Sequence, residues 1–238
     1  MYYEHFGLRE PPFRITPDTS RFYAGGDRGA ILDAIVYAIT SGEGIIKVVG
    51  EVGSGKTMLC RMLEVRLPRT VEVVYLANPN LTPDNILHAI AFEMGLPVTE
   101  HTSRFQVVHA LQQHLLSKHA EDRQVVVFIE EAQSMPLETL EEVRLLSNLE
   151  TQRYKLLQLV LFGQPELEPN LSAPHIRQLR ERITHSFELP PLGRGEIGKY
   201  LDFRMRAAGY RGPEVFTPAA VRRLAKESAG LVRRANIL

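Results

Sequence analysis

Cysteine is nearly absent from this 238-residue sequence, which contains only Cys60. A single cysteine cannot form a disulfide within the chain, and zinc sites that need two or more cysteines from one chain are excluded. The scarcity of cysteine favours a reducing, cytoplasmic compartment.

Long apolar runs and net charge are also missing. The apolar run from Val125 to Ile129 is far shorter than the ~20 residues that span a bilayer, and the N-terminal segment 1–13 has no basic stretch followed by an apolar one. The sequence therefore predicts neither a membrane anchor nor a signal peptide. The 28 Lys and Arg residues cancel the 28 Asp and Glu residues, which disfavours nucleic acid as a partner.

The apolar pattern predicts strands that alternate with helices. Strand candidates are 45–49, 71–76, 125–129, 156–162 and 185–189, and helix candidates are 29–40, 56–66, a helix from 83 capped by Thr82, 103–119, 196–208, 218–228 and a helix from 232. Alternating, largely apolar strands indicate a parallel sheet covered by helices. We therefore expect an α/β fold, a five-stranded αβα sandwich followed by a small helical domain.

A domain boundary is expected near Pro190-Pro191, because no strand pattern follows it. The first domain, 1–190, would include a Pro- and aromatic-rich arm, and the second would be 191–238. Residues 193–238 carry ten Lys or Arg against four Asp or Glu, whereas the preceding part has 18 against 24. No helix-stop signal precedes Leu238, which predicts that the chain continues.

A glycine-rich segment between the first strand candidate and the next helix fits the pattern G-x-x-x-x-G-K-[ST]. In this P-loop motif, backbone N–H groups surround phosphates, the lysine reaches the β- and γ-phosphates, and the Ser or Thr binds Mg²⁺. Lys56 and Thr57 hold those two positions. Met58 stands where a dinucleotide fingerprint needs glycine, and no N-K-x-D guanine motif occurs, so ATP is the expected ligand. The predicted nucleotide-binding residues are Gly50, Glu51, Val52, Gly53, Ser54, Gly55, Lys56, Thr57 and Met58.

Two acids follow the third strand candidate. Glu130 and Glu131 stand at its carboxyl end, where parallel sheets bind ligands. This predicts a Walker B element, in which Glu130 holds Mg²⁺ and Glu131 polarises the water that attacks the γ-phosphate. A solvated acidic turn is the alternative. Asp is usual at the first of these two positions. Because Glu130 stands there instead, the sequence does not predict the rate of hydrolysis.

Further candidates follow the fourth strand. Gln164 is placed to sense the γ-phosphate or to orient the water, and an ordinary turn residue is the alternative. One of Arg177, Arg180 and Arg182 can serve as an arginine finger for a neighbouring subunit, the alternative being surface arginines. Arg233, at the start of the last helix, can reach phosphates from the C-terminal domain.

These motifs stand in the order found in AAA+ ATPases of the ExeA/GspA secretion family. The chain resembles this family over nearly its whole length, and within it the MSHA-type pilus biogenesis members most. Besides the P-loop, the resemblance rests on Phe6-Gly7-Leu8 with Pro11-Pro12-Phe13, Thr16-Pro17-Asp18, Glu131-Ala132-Gln133, Gly163-Gln164-Pro165-Glu166-Leu167 and Gly230 to Asn236.

The resemblance implies a P-loop core of AAA+ type with a helical lid, ATP and Mg²⁺ as cofactors, and self-assembly into a homo-oligomer. It makes Gln164 the sensor 1 residue, Arg182 the first choice of finger with Arg180 second, and Arg233 the sensor 2 residue. Val232 stands where proline is common. The implied partners are pilus or secretion machinery proteins, which would hold the chain in the cytoplasm or at the inner face of the inner membrane.

Three functions stay open on this basis. The first is an ATP-hydrolysing motor or switch in pilus or secretion machinery. The second is a nucleotide-gated scaffold with little hydrolysis, which Glu130 suggests. The third is a DNA-dependent ATPase of the transposition-helper kind, with the basic C-terminal domain as the contact surface. That charge has a simpler explanation, attraction to the acidic core or to an acidic continuation.

Overall fold

Five parallel strands form one sheet in the computed structural model, which describes residues 2–77 and 80–238. The strands are β1 (Ile45–Val49), β2 (Val71–Leu76), β3 (Gln124–Ile129), β4 (Leu157–Gly163) and β5 (Ile183–Glu188). Their order across the sheet is β2-β3-β4-β1-β5. The predicted α/β fold with a five-stranded parallel sheet is confirmed.

Helices alternate with the strands and continue after the last one. They are α1 (Tyr2–Phe6), α2 (Arg28–Thr40), α3 (Lys56–Arg66), α4 (Pro83–Glu93), α5 (Arg104–Ala120), α6 (Leu137–Leu146), α7 (Leu167–Leu171), α8 (Arg177–Arg180), α9 (Arg194–Ala207), α10 (Pro218–Ser228) and α11 (Val232–Ile237). In the described residues, no helix has both the length and the apolar character needed to cross a membrane.

Burial differs between the centre and the edge of the sheet. All residues of β1 and β4 are buried, as expected for central strands with largely apolar sequences. In β5, at the sheet edge, half-buried and exposed residues alternate. The predicted range 185–189 therefore begins two residues late, because Thr184 is exposed and polar and does not resemble a buried strand.

Side-chain caps fix the starts of α4 and α5. The Thr82 hydroxyl accepts a hydrogen bond from the Asn85 N–H, and Pro83 occupies the first helical position, as predicted. Ser103 and Gln106 form a reciprocal capping box. These helices therefore begin where short polar side chains satisfy N–H groups that the helix itself leaves unpaired.

Contacts divide the chain into two compact units. The first, here called the sheet unit, comprises 34–49 and 64–188 and contains all five strands. Its apolar core joins β1, β3 and β4 to one side of α4, α5 and α6. The second, here called the P-loop unit, comprises residues up to Asp33, 50–63 and 189–238.

The N-terminal arm belongs to the P-loop unit, together with α9 to α11, whereas the sequence-based division grouped it with the sheet. The physical reason lies in Arg204 of α9, which is 4% exposed. Its Nε donates to the Pro12 carbonyl at 2.6 Å and its Nη2 to the Arg14 carbonyl at 3.1 Å. Leu8 of the arm packs with Met205 in a small apolar cluster. A proline-rich segment without a strand partner thus satisfies its carbonyls on a helix.

Candidate active site

The P-loop joins β1 to α3. Lys56, the first residue of α3, is buried, and its Nζ donates to the carbonyls of Gly50 at 2.7 Å and Glu51 at 3.1 Å. The Ser54 N–H also bonds to the Glu51 carbonyl, at 3.0 Å. The lysine charge therefore lies against the loop, at the start of a helix whose first N–H groups have no carbonyl partner within that helix.

Gly53 must be glycine for two reasons. Its φ is +82°, in the left-handed region, and a Cβ at this position would lie 2.9 Å from the Arg233 Cβ. The Arg233 N–H donates to the Gly53 carbonyl at 3.1 Å, while the Arg233 side chain is exposed. The structure thus brings the sequence-predicted Arg233, and with it the start of α11, directly onto the P-loop.

Arg28 is a P-loop contact that sequence reasoning missed. Its buried guanidinium donates through Nη2 to the Ser54 carbonyl at 3.1 Å and to the Pro190 carbonyl at 3.0 Å. Burial lowers the pKa of this group, partly opposed by Tyr200, Tyr23 and Glu196. No motif marks an arginine in the first turn of α2, so only the fold reveals that it supports the loop.

The two acids after β3 differ in environment. Glu130 is 8% exposed, and its N–H extends the β2–β3 ladder by bonding to the Leu76 carbonyl at 3.0 Å. Glu131 is exposed and has a φ of +53°, which is uncommon for a residue with a side chain. A 3-10 turn, Ala132–Ser134, follows it, and the Ser134 hydroxyl donates to the Glu131 carbonyl at 2.7 Å. The chain therefore turns sharply at Glu131.

Glu131 and Gln164 are in direct contact in the sheet unit. The β3–β4 register pairs Ile129 with Leu161, so the residues that follow these strands lie side by side. Gln164 Nε2 donates to Glu131 Oε2 at 2.9 Å. The structure thus brings together two of the predicted catalytic residues.

A third polar side chain, Gln133, connects these two. Its Nε2 donates to Glu131 Oε2 at 2.7 Å, and its Oε1 accepts the Gln164 backbone N–H at 3.0 Å. Asn170 Nδ2 in turn donates to the Gln133 carbonyl at 3.0 Å. Gln133 was noted in the sequence only as part of a motif, without a role of its own.

The three candidate arginines differ in how firmly they are held. Arg182 Nη1 donates to the Ser147 hydroxyl at 2.9 Å and also to Asn148. Arg177 is exposed and pairs with Glu181 at 2.9 Å. Arg180 is exposed, and no ion pair or side-chain hydrogen bond involves it within residues 2–77 and 80–238. A finger at Arg182 would have to release two bonds, whereas one at Arg180 would release none.

The predicted Mg²⁺ ligands are the Thr57 hydroxyl, in the P-loop unit, and the Glu130 carboxylate, in the sheet unit. Both are oxygen donors, the type Mg²⁺ prefers, and Mg²⁺ in phosphate sites is usually held by one or two protein groups together with phosphate oxygens. Across the described part of the chain, no group of three or more His, Cys, Asp or Glu side chains is arranged to hold a metal. The assignment of these two oxygen donors to Mg²⁺ stays a prediction.

Comparison with known proteins links this geometry to a family. A family model described as "AAA domain" matches residues 39–171. The "General secretion pathway protein A" of Aeromonas hydrophila is 40% identical over all 238 residues, and the chain spans 43% of that protein's length. This similarity supports the resemblance to the ExeA/GspA family.

Solved structures share the fold at low sequence identity. The ORC1 protein of Aeropyrum pernix in complex with DNA has a TM-score of 0.67 and 21% identity, over 96% of this chain and 62% of its own. The ORC2 protein of the same organism, with ADPNP and ADP, has a TM-score of 0.65 and 20% identity, over 89% and 60%. A RuvB protein of Thermotoga maritima has a TM-score of 0.57 and 17% identity, over 93% and 63%.

One of these solved structures is bound to DNA. The charge-based expectation that disfavours nucleic acid as a partner of this chain stays a prediction. At such identities the solved structures speak for the fold alone. The family match covers more than half of the chain, and the Aeromonas hydrophila relative is similar over all of it. The chain therefore belongs to the AAA domain family.

Proposed function

We propose that this chain binds ATP with Mg²⁺ and hydrolyses it, as an AAA+ protein that powers or switches the assembly of an MSHA-type pilus or a type II secretion machinery. The observation that carries the proposal is the contact between Glu131 and Gln164, at the end of the sheet from which β1 leads into the P-loop. Ligands bind at this end of parallel sheets.

Each residue has a distinct role in this proposal. Lys56 and the N–H groups at the start of α3 bind the β- and γ-phosphates. Glu131 accepts a hydrogen bond from the attacking water and polarises it, while Gln164 orients that water. Thr57 and Glu130 would hold Mg²⁺, which neutralises phosphate charge when bound.

The link to secretion or pili rests on the relatives. Similarity to a general secretion pathway protein A over the whole chain supports partners in a secretion machinery. The MSHA-type assignment, by resemblance to the pilus biogenesis ATPase MshM, rests on the sequence motifs. A cytoplasmic location, or one at the inner membrane through partners, is part of the same proposal.

Assembly into a homo-oligomer supplies the arginine finger. We propose Arg182 as the first choice for the finger, with Arg180 second and Arg177 third. Because Arg182 is hydrogen-bonded to Ser147 whereas Arg180 is exposed, the activities of the Arg182 and Arg180 variants should be compared. Phosphate release per subunit is expected to rise with protein concentration. Arg182→Ala should bind ATP but lose most turnover, since such fingers contribute ~10³–10⁵-fold.

Mixing two inactive variants tests assembly directly. Lys56→Ala subunits keep the finger, and Arg182→Ala subunits keep ATP, so the mixture should regain phosphate release. If Arg180→Ala, and not Arg182→Ala, is inactive and rescued in the mixture, the finger is Arg180. Turnover that is independent of concentration and not rescued in any mixture would contradict assembly.

A nucleotide-gated scaffold is the alternative that Glu130 suggests, because its extra methylene changes the distance from backbone to carboxylate. Under our proposal, Glu130→Asp hydrolyses ATP at least as fast as the wild type. A wild-type protein that binds ATP, oligomerises and releases no phosphate would favour the scaffold.

DNA-dependent hydrolysis is the second candidate, and the charges of the C-terminal helices favour it. Lys199 and Arg206 pair with acids in α9, whereas the cations of α10 and α11 have no ion pair within the described residues. These exposed cations are Arg222, Arg223, Lys226, Arg233 and Arg234. Stimulation of phosphate release by double-stranded DNA, lost when Arg222, Arg223 and Lys226 become Gln, would select this function.

A further inference from the structure

Gln133 makes two side-chain bonds at once, one to each residue of the proposed catalytic pair. Its Nε2 donates to Glu131 Oε2 at 2.7 Å, and its Oε1 accepts from the Gln164 N–H at 3.0 Å. The two ends of a carboxamide are chemically different, one a donor and the other an acceptor. Reversing the group would set N–H against N–H and oxygen against carboxylate, so only one orientation satisfies both neighbours.

The backbone around Gln133 is also held. Its carbonyl accepts a hydrogen bond from Asn170 Nδ2 at 3.0 Å, which ties the turn after β3 to the segment after β4. Ala132, immediately before it, is fully buried. Gln133 itself is half-buried, whereas the Glu131 side chain is exposed. The Gln133 side chain is therefore held more firmly than the Glu131 side chain.

Glu131 needs such an anchor. An exposed glutamate loses side-chain conformational freedom when it is fixed in one direction, which costs free energy. Its left-handed φ of +53° also places it at a sharp bend of the chain. Two amides, from Gln133 and Gln164, converge on the same carboxylate oxygen, Oε2. Hydrogen bonds to a charged group are stronger than neutral ones, so they can offset this loss.

We propose that Gln133 is a positioning residue for ATP hydrolysis. It holds Glu131 and Gln164 in one relative arrangement by hydrogen bonding to both, and it contributes to kcat without contributing to ATP affinity. This inference rests on the proposed function, because it requires an attacking water that Glu131 and Gln164 align.

Two substitutions separate the two bonds. Gln133→Met keeps the length of the side chain and removes both bonds. Gln133→Glu keeps an acceptor for the Gln164 N–H but sets a negative charge against Glu131 Oε2 in place of a donor. Gln113→Met, at an exposed position of α5, is the matched control.

The expected result is a split between kcat and KM. For Gln133→Met, kcat for phosphate release should fall about 10–100-fold, the range of one or two charge-assisted hydrogen bonds. For Gln133→Glu the fall should be larger. KM for ATP and the calorimetric Kd should change less than about threefold in both, and the melting temperature should stay near that of Gln113→Met.

A double substitution tests whether Gln133 acts through Glu131. In single-turnover experiments with excess protein, Gln133→Met added to Glu131→Gln should lower the rate by less than about twofold. A further loss as large as in the wild-type background would show that Gln133 acts independently, and would overturn the proposal.

Two other outcomes would also overturn it. One is a Gln133→Met protein with wild-type kcat. The other is parallel loss of kcat, ATP affinity and melting temperature, which would indicate a merely structural role. Both require an active wild type and so leave the proposed function intact, whereas a wild type that releases no phosphate refutes the proposed function itself.

Discussion

The P-loop and the acidic end of β3, meaning Glu131 with Gln133 and Gln164, are built from different kinds of chemical group. The P-loop occupies nine consecutive residues, 50–58, and its contacts are made largely by backbone groups and by Lys56. The acidic end combines side chains from the ends of two strands, Glu131 and Gln164, with Gln133 from the turn between β3 and α6.

This difference decides what a sequence can reveal. A backbone cradle needs glycines and a helix start at fixed spacing, so the motif itself encodes the geometry. A side-chain network depends on which strands are neighbours and in what register. The pairing of β3 with β4 is a property of the fold, and Glu131 and Gln164 are 33 residues apart in the chain.

The largest expected effect is on the P-loop side. Lys56→Ala should abolish measurable ATP binding, because it removes the one positively charged side chain of residues 50–58, in a cradle of neutral N–H groups. Isothermal titration calorimetry should show at least a ~100-fold weaker Kd, with Lys226→Ala, an exposed lysine of α10, as control. Unchanged affinity would refute the P-loop assignment and the contrast between binding and turnover residues.

A smaller effect is expected at Gly53. An alanine there meets both a φ of +82° and the Arg233 Cβ at 2.9 Å, so the loop and α11 must separate. The strain is on the order of 1–3 kcal/mol, which corresponds to about a 5–150-fold weaker Kd for ATP. Gly44→Ala is the control, because its φ is +95° but nothing lies within 4 Å of its Cβ.

Gly53 and Gly44 both have a positive φ, but they differ in what an added Cβ would contact. Both alanines strain the backbone, so both should lower the melting temperature. Only the Gly53 substitution should weaken nucleotide binding. Equal ATP affinities for the two variants would show that the contact with Arg233 has no bearing on the nucleotide site.

The smallest expected effect concerns stability in the sheet unit, away from the acidic end. Burial alone would raise the pKa of Glu72, but its hydrogen bond with Lys118 and the charges of Arg123 and His114 lower it below the usual range. A folded-state pKa below the unfolded value gives stability above the unfolded pKa that is lost as pH falls through the folded one.

Glu72→Gln should therefore destabilise the protein at neutral pH by about 1 kcal/mol or less, and the difference should vanish in acid. Urea unfolding at pH 7 and near pH 3 measures it. Turnover per folded molecule should stay at the wild-type value. A stability difference that grows toward low pH would contradict a lowered pKa of Glu72 in the folded state.

Sequence patterns predicted well the elements that have clear boundary signals, and they predicted poorly those without such signals. The bounds of β1, β2, α3 and α10 agree with the sequence-based ranges, because apolar runs, glycines and an N-cap mark them. Helix α6 was not predicted. Its start has no side-chain cap, since Pro136 occupies the N-cap position.

Supporting residues were the least visible in the sequence. The guanidinium groups of Arg28 and Arg204 bind carbonyls more than 20 residues away in the chain, and any backbone carbonyl can serve as such a partner. No spacing rule identifies these contacts. The proposed roles of Glu130, Gln164, Arg182 and Arg233 stay predictions. The structure places the Gln164 side chain in contact with Glu131 and the Arg233 backbone N–H in contact with the P-loop.

The central claim is that the P-loop binds ATP while the acidic end of β3 cleaves it. Glu131→Gln tests this most directly, because the amide is nearly the same size but cannot act as a base toward water. ATP affinity by calorimetry and phosphate release should be measured on the same preparation. The account predicts a Kd within about threefold of the wild type and phosphate release at least ~100-fold slower. Turnover at the wild-type rate, or loss of ATP binding together with turnover, would contradict it.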